Sequence, residues 1–137
     1  MKWYQARLKE LEKAEPIYSV WGDDCAVCPR YLARTEEELH ETAVFWHRVG
    51  WRDQVVSHEK IRCTGCGSRP TCSFMLLPCV KEHGVAKCSA CGEYPCGKVE
   101  RALALSDEKK QQCRRACESD EEFAMLVRAF YEKEKHL

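Results

Sequence analysis

The sequence has little from which to build a conventional core. Leu, Ile, Val and Phe together number 26 of its 137 residues, near the level below which a highly charged chain stays unfolded. Charge of one sign is lacking too, because 22 Lys and Arg balance 22 Asp and Glu. A poor core without self-repulsion points to a stapled chain, not a disordered one. Long hydrophobic runs are absent: the longest, Phe74 to Val80, contains Pro78 and falls far short of the roughly 20 residues of a membrane helix. A membrane association by spanning helix is excluded. The first residues, Met1 to Arg7, become charged at once and offer no apolar signal region, so the expected location is the reducing cytoplasm. A neutral chain also lacks the basic excess that neutralises phosphates, which argues against a nucleic-acid partner. No repeat of 20 to 50 residues marks a solenoid.

What the chain has is cysteine, 11 of 137 residues. Without a secretory context, an odd cysteine count favours metal or redox chemistry over disulfides. The spacings are Cys25-x2-Cys28, Cys63-x2-Cys66, Cys72, Cys79, Cys88-x2-Cys91-x4-Cys96 and Cys113-x3-Cys117. Two intervening residues let a tight turn aim both sulfurs at one ion about 2.3 Å from each, and two such halves complete a tetrahedron. Gly65, Gly67, Gly92 and Gly97 lie in or beside these turns, where a positive φ costs glycine little.

Around the cysteines the pattern is helical. Tyr4, Leu8 and Leu11 form one face of a helix over 2–15 that ends before Pro16. Thr35 to Glu38 reads as a capping box opening a helix to Gly50, with Leu39, Ala43 and Trp46 on its apolar face. Ser106 caps a third helix to 118, and Ser119 to Glu122 reads as a second capping box before Phe123, Leu126, Val127 and Phe130. Between Lys60 and Lys98, Gly and Pro supply eight of 39 residues, leaving room for short helical pieces near 79–83 and after Pro95. The expected fold is one small α-rich domain with irregular, zinc-finger-like, cysteine-ligated loops and little or no sheet. Within 1–137, residues 20–100 form the cysteine-rich metal-binding core and 101–137 a C-terminal helical extension.

The runs Asp24 to Tyr31, Ile61 to Cys66 and Cys79 to Cys96, closing on Tyr94-Pro95-Cys96, resemble the cysteine-rich family of bacteria and archaea catalogued as domain of unknown function 3795. The resemblance spans about residues 20 to 100. It differs at Trp21, where family members generally carry a further cysteine, and at Cys72, where theirs lies nearer Met75. It implies a metal-binding protein, usually supposed to hold zinc, with no established activity. Nine cysteines from 25 to 96 exceed two four-ligand sites by one. The assignment adopted joins Cys25, Cys28, Cys63 and Cys66 in one site and Cys79, Cys88, Cys91 and Cys96 in another, with Cys72 as an alternative ligand; an interleaved pairing remains open. About two zinc ions per chain follow, with an iron–sulfur cluster as the alternative occupant of the same thiolates.

Other residues read more plainly. His83, four residues after Cys79, is a spare imidazole ligand beside sufficient thiols, and an exposed turn histidine is the preferred reading. His40 and His47 lack a metalloprotease-like pattern. Cys113 and Cys117, one helical turn apart, are expected to pack as small apolar residues. Trp21, Phe45, Trp46 and Trp51 are expected in the core, not on a base-stacking platform. No nucleophile elbow, phosphate loop or Ser-His-Asp set suggests an enzyme. A zinc-stabilised module that binds a protein partner is the function expected.

Overall fold

The computed structural model describes residues 1–65 and 74–137. Among them it is mostly helical and contains no sheet, only an isolated bridge between Tyr18 and Asp24. The helices are α1 (Lys2–Gln5), α2 (Leu8–Leu11), α3 (Pro29–Leu32), α4 (Glu36–Val49), α5 (His58–Ile61), α6 (Leu76–Glu82), α7 (Gly97–Ala116), α8 (Asp120–Phe130) and α9 (Lys133–His136). None is long and apolar enough to cross a membrane.

The N-terminal segment keeps its predicted face and loses its continuity. Tyr4, Leu8 and Leu11 are all buried, but the chain turns between α1 and α2. There Gln5 reaches Ser119 and Glu122 while Arg7 pairs with Glu38 at 2.9 Å. Helix α4 forms as its caps dictate. The Glu38 N–H donates to Thr35 Oγ1 at 3.1 Å, the Thr35 N–H donates to Glu38 Oε2 at 3.2 Å, and Gly50 closes the helix at φ 84°.

Two expectations need correction. Helix α7 starts at Gly97, not at Ser106, because Val99 and Ala102 bury themselves against α6 residues and extend the helix backwards. Ser106 is therefore mid-helix and buried, its hydroxyl donating to the Phe130 carbonyl at 3.1 Å. At α8 only half a capping box forms: Glu122 N–H donates to Ser119 Oγ, while the Glu122 carboxylate accepts from the Glu118 N–H at 2.7 Å and lies 2.9 Å from the Met1 amine. That carboxylate is fully buried, so the ion pair keeps it from standing uncompensated.

Two apolar clusters result. The larger gathers α1, α2, α4 and α8 around Leu39, Phe45, Trp46, Leu126 and Phe130, with Trp51 packed alongside. The smaller holds Leu76, Val80, Cys88, Val99, Ala102 and Leu137, with Trp21, Tyr94 and Cys96 against it. Helix α7, about 30 Å long at 1.5 Å per residue, serves both, with Val99 in the small cluster and Cys113 in the large one. Trp21, Phe45, Trp46 and Trp51 thus lie in or against the cores, as their type suggests.

The C-terminal helices grip the loop before the first cysteine pair. Asp24, 1% exposed, accepts from Ile17 N–H and Ala26 N–H and takes Arg128 Nε at 2.8 Å. Arg128 also donates to the carbonyls of Leu11 and Ala14, and Lys133 pairs with Asp23. Gly22 passes so close to α9 that a Cβ there would stand 2.7 Å from the Lys133 carbonyl oxygen. Replacing Asp24 by Ala leaves Arg128 Nε and two backbone N–H groups without their acceptor, and the guanidinium without its counter-charge. Urea unfolding of Asp24→Ala should show a loss of about 3 kcal/mol; a loss within experimental error would mean that this carboxylate does not fasten the loop.

Candidate metal centre

The two complete C-x2-C pairs among the described residues fold into the same local structure. Cys25–Val27 and Cys88–Ala90 are each a single 3-10 turn. In each, the second cysteine donates its N–H to the first one's carbonyl, at 3.2 Å for Cys28 to Cys25 and 2.9 Å for Cys91 to Cys88. The chain leaves both turns extended, with ψ 121° at Cys28 and 138° at Cys91. Asp24 caps the first turn by accepting from Ala26 N–H, and Pro29 then opens α3, where its missing N–H is no loss.

At the first turn a third cysteine is brought in by Arg30. Its guanidinium donates to the Ile61 carbonyl at 2.8 Å, and its own carbonyl accepts from Cys63 N–H at 3.2 Å. Cys63 thus comes near enough to Cys28 to influence it. Burial first, and secondarily the neighbouring Asp23 and Cys63, push the Cys28 thiol up to about 12. Cys25 and Cys28 are buried and Cys63 half-buried. Cys66 and Cys72 lie outside the described residues.

At the second turn, Cys79, Cys88, Cys91 and Cys96 all line one pocket, closed on its apolar side by Leu76, Val80 and Val99. Cys79 comes from the middle of α6, Cys88 and Cys91 from the turn, and Cys96 from the N-terminal boundary of α7 after a cis Tyr94-Pro95 bond. Cys88 is buried, and its thiol is raised by that burial and then by Cys79, Cys96 and Cys91 nearby. Such a donor set fits zinc chemically: four thiols from three segments line one pocket, and the buried Cys88 among them is held un-ionised in the absence of a cation. Zinc there would act as a cross-link between α6 and the start of α7.

The same pocket contains His83, offered by its spacing from Cys79 as a spare imidazole, and Glu93, which the spacing of cysteines does not single out. His83 caps α6, and its Nδ1 stands 2.8 Å from the Cys79 carbonyl and 3.7 Å from Cys79 Sγ, while its Nε2 is 2.9 Å from Glu93 Oε2. The bond to Cys79 and then that to Glu93 hold the imidazole above its ordinary pKa. His83 is exposed, as expected, and is partnered as well. Among the described residues, His83, Cys91 and Glu93 bring potential ligand atoms within 4.8 Å of one another. The sequence signals were a histidine at i+4 from Cys79 and a carboxylate two residues after Cys91.

Elsewhere the plain readings suffice. Cys113 is 1% exposed in the large cluster, and Cys117 points its thiol at the Cys113 carbonyl at 3.0 Å. His47 faces the Arg52 carbonyl and His40 lies edge-on to His58. Of the turn glycines, Gly65 adopts a positive φ of 110°, whereas Gly92 and Gly97 do not, the latter because it begins α7; Gly67 lies outside the described residues.

These features define a small, mostly helical, cysteine-rich domain with paired C-x2-C turns. The chain belongs to the family described as Protein of unknown function (DUF3795), which matches residues 17–101, so the resemblance carried by the cysteine runs holds. No curated protein and no solved structure matches it.

The Cys28 thiol gives a pH prediction for the metal-free, reduced protein. Its folded value of about 12 lies above the ordinary 9.0, so this group's contribution to stability is complete below pH 9 and is lost as pH rises toward 12. Urea unfolding between pH 8 and 11 should show a shallower alkaline loss for Cys28→Ser than for the wild type. Identical slopes would contradict the burial of an un-ionised thiol.

Proposed function

We propose that this protein is a zinc-stabilised interaction module whose cysteines hold the ion and whose helices present the binding surface. The observation that carries the reading is the pocket in which Cys79, Cys88, Cys91 and Cys96 converge from three separate segments. Local sequence alone does not bring Cys79 to Cys91, and four thiols converging next to so small an apolar cluster are poorly explained as ordinary packing. The first turn supports it, since Cys25 and Cys28 repeat the geometry of Cys88 and Cys91 and Cys63 is pinned beside them. Cys66 would complete a second four-thiolate set, giving about two ions per chain. The ions act structurally: a bound zinc supplies on the order of 10 kcal/mol when its ligands assemble.

The partner is read as a protein because balanced charge supplies no excess of cations to neutralise phosphates. Eight thiolates with two Zn²⁺ would turn the neutral chain acidic, which strengthens that argument.

Elemental analysis of protein purified without oxygen, with an absorption spectrum, tests the ion. About two zinc atoms per chain and a colourless solution are expected. A brown chromophore with matching iron and sulfide would replace zinc by an iron–sulfur cluster on the same thiolates, and protein free of metal would overturn the reading. Replacing both Cys113 and Cys117 by Ser should leave the metal content unchanged; loss of an equivalent would show that one of them is a ligand.

A further inference from the structure

We propose that His83, Cys91 and Glu93 form an open, three-ligand site at the rim of the cysteine pocket, by which a zinc-class cation enters and leaves the four-thiolate set. The inference rests on the proposed ligation by Cys79, Cys88, Cys91 and Cys96, and adds to it a route of exchange.

The donors meet the requirement for a transient holding site. One imidazole nitrogen, one thiolate and one carboxylate oxygen lie within 4.8 Å of one another, so modest side-chain rotation places all three about 2.0 to 2.3 Å from one ion. Three protein ligands leave the fourth position to water or to an incoming donor, which is how exchangeable zinc sites differ from closed structural ones. A mixed nitrogen, sulfur and oxygen set suits a borderline cation and is a poor match for the all-oxygen preference of Mg²⁺ or Ca²⁺.

The tautomer follows from the neighbours. A carbonyl can only accept, so Nδ1 is the nitrogen that donates to Cys79. Nε2 faces the Glu93 carboxylate at 2.9 Å, so the ring nitrogen and the carboxylate oxygen stand side by side as two donors of the rim site. The carbonyl bond meanwhile fixes the ring with Nε2 outward, the usual role of the second nitrogen of a ligating histidine.

Position gives the direction of travel. His83 and Glu93 are solvent-exposed, with side chains 36% and 72% accessible, whereas Cys88 is 6% accessible. Cys91 belongs to both groups, lining the pocket with the other cysteines and meeting the rim ligands. An ion held by Cys91 can therefore trade His83 and Glu93 for Cys79, Cys88 and Cys96 one ligand at a time. Zinc tolerates that exchange because its coordination can expand from four to five.

The test uses the full chain loaded with Zn²⁺ and follows transfer to and from 4-(2-pyridylazo)resorcinol, comparing wild type with the double variant His83→Gln, Glu93→Gln. The variant should keep the wild-type zinc content and transfer zinc roughly tenfold more slowly in both directions. Wild-type rates would overturn the rim site, as would loss of a zinc equivalent, which would make His83 or Glu93 a resident ligand. A wild type that holds no zinc would overturn it as well. The four-thiolate reading is scored separately by Cys88→Ser: loss of one equivalent supports it, and full retention contradicts it while leaving the rim rates readable.

Discussion

The buried Asp24 carboxylate is the point through which the sequence before the first cysteine turn, the turn itself and the C-terminal helices are made one body. It accepts from Ile17 and Ala26 N–H groups and pairs with Arg128, whose remaining donors reach back to Leu11 and Ala14. A charge taken out of water is tolerable only when so fully partnered. The family-matched region, residues 17–101, is thereby fastened to helices that lie beyond it in sequence. Helix α7 makes the second connection, running from Cys96 at the pocket to Cys113 in the large core.

The two ends of α7 sit in unequal surroundings. One end joins a core with two caps, several aromatics and the buried Leu39, Val49 and Leu126. Its other end lies in a cluster of only six buried residues, two of them its own Val99 and Ala102 and one of them Cys88. Ordering each residue of the loops around that small cluster costs roughly 1 to 2 kcal/mol of backbone entropy, and so little apolar surface offsets only part of it. Thiolates bound to a common ion would supply the remainder, which is why the composition, poor in aliphatics and rich in cysteine, and the geometry of the pocket point the same way.

Helix α4 was legible in full because its signals are local: Thr35 and Glu38 cap each other, and Gly50 stops the helix. The paired 3-10 turns were legible as spacing. What escaped the sequence was set by tertiary contacts. Ser106 looks like a cap and is a mid-helix donor to Phe130, since the small cluster extends α7 backwards to Gly97. Glu122 looks like a capping-box carboxylate and is drawn instead to Met1 and Glu118. Arg7 sits in an apolar-periodic stretch and marks the turn between α1 and α2, because Glu38 is 2.9 Å away. His83 and Glu93, ten residues apart, meet only through the fold of α6 against the second turn, and no spacing rule pairs a histidine with that glutamate.

The central claim is that the pocket around Cys79, Cys88, Cys91 and Cys96 depends on ligation, whereas the large core stands on its own packing. Hydrogen exchange of the reduced protein, before and after removal of metal with EDTA, measures this most directly. The account predicts that amides of residues 79–96 lose protection while those in α4 and α8 retain theirs. Full protection of 79–96 with all metal demonstrably gone would contradict it, and the cysteines would then be packing residues and not staples.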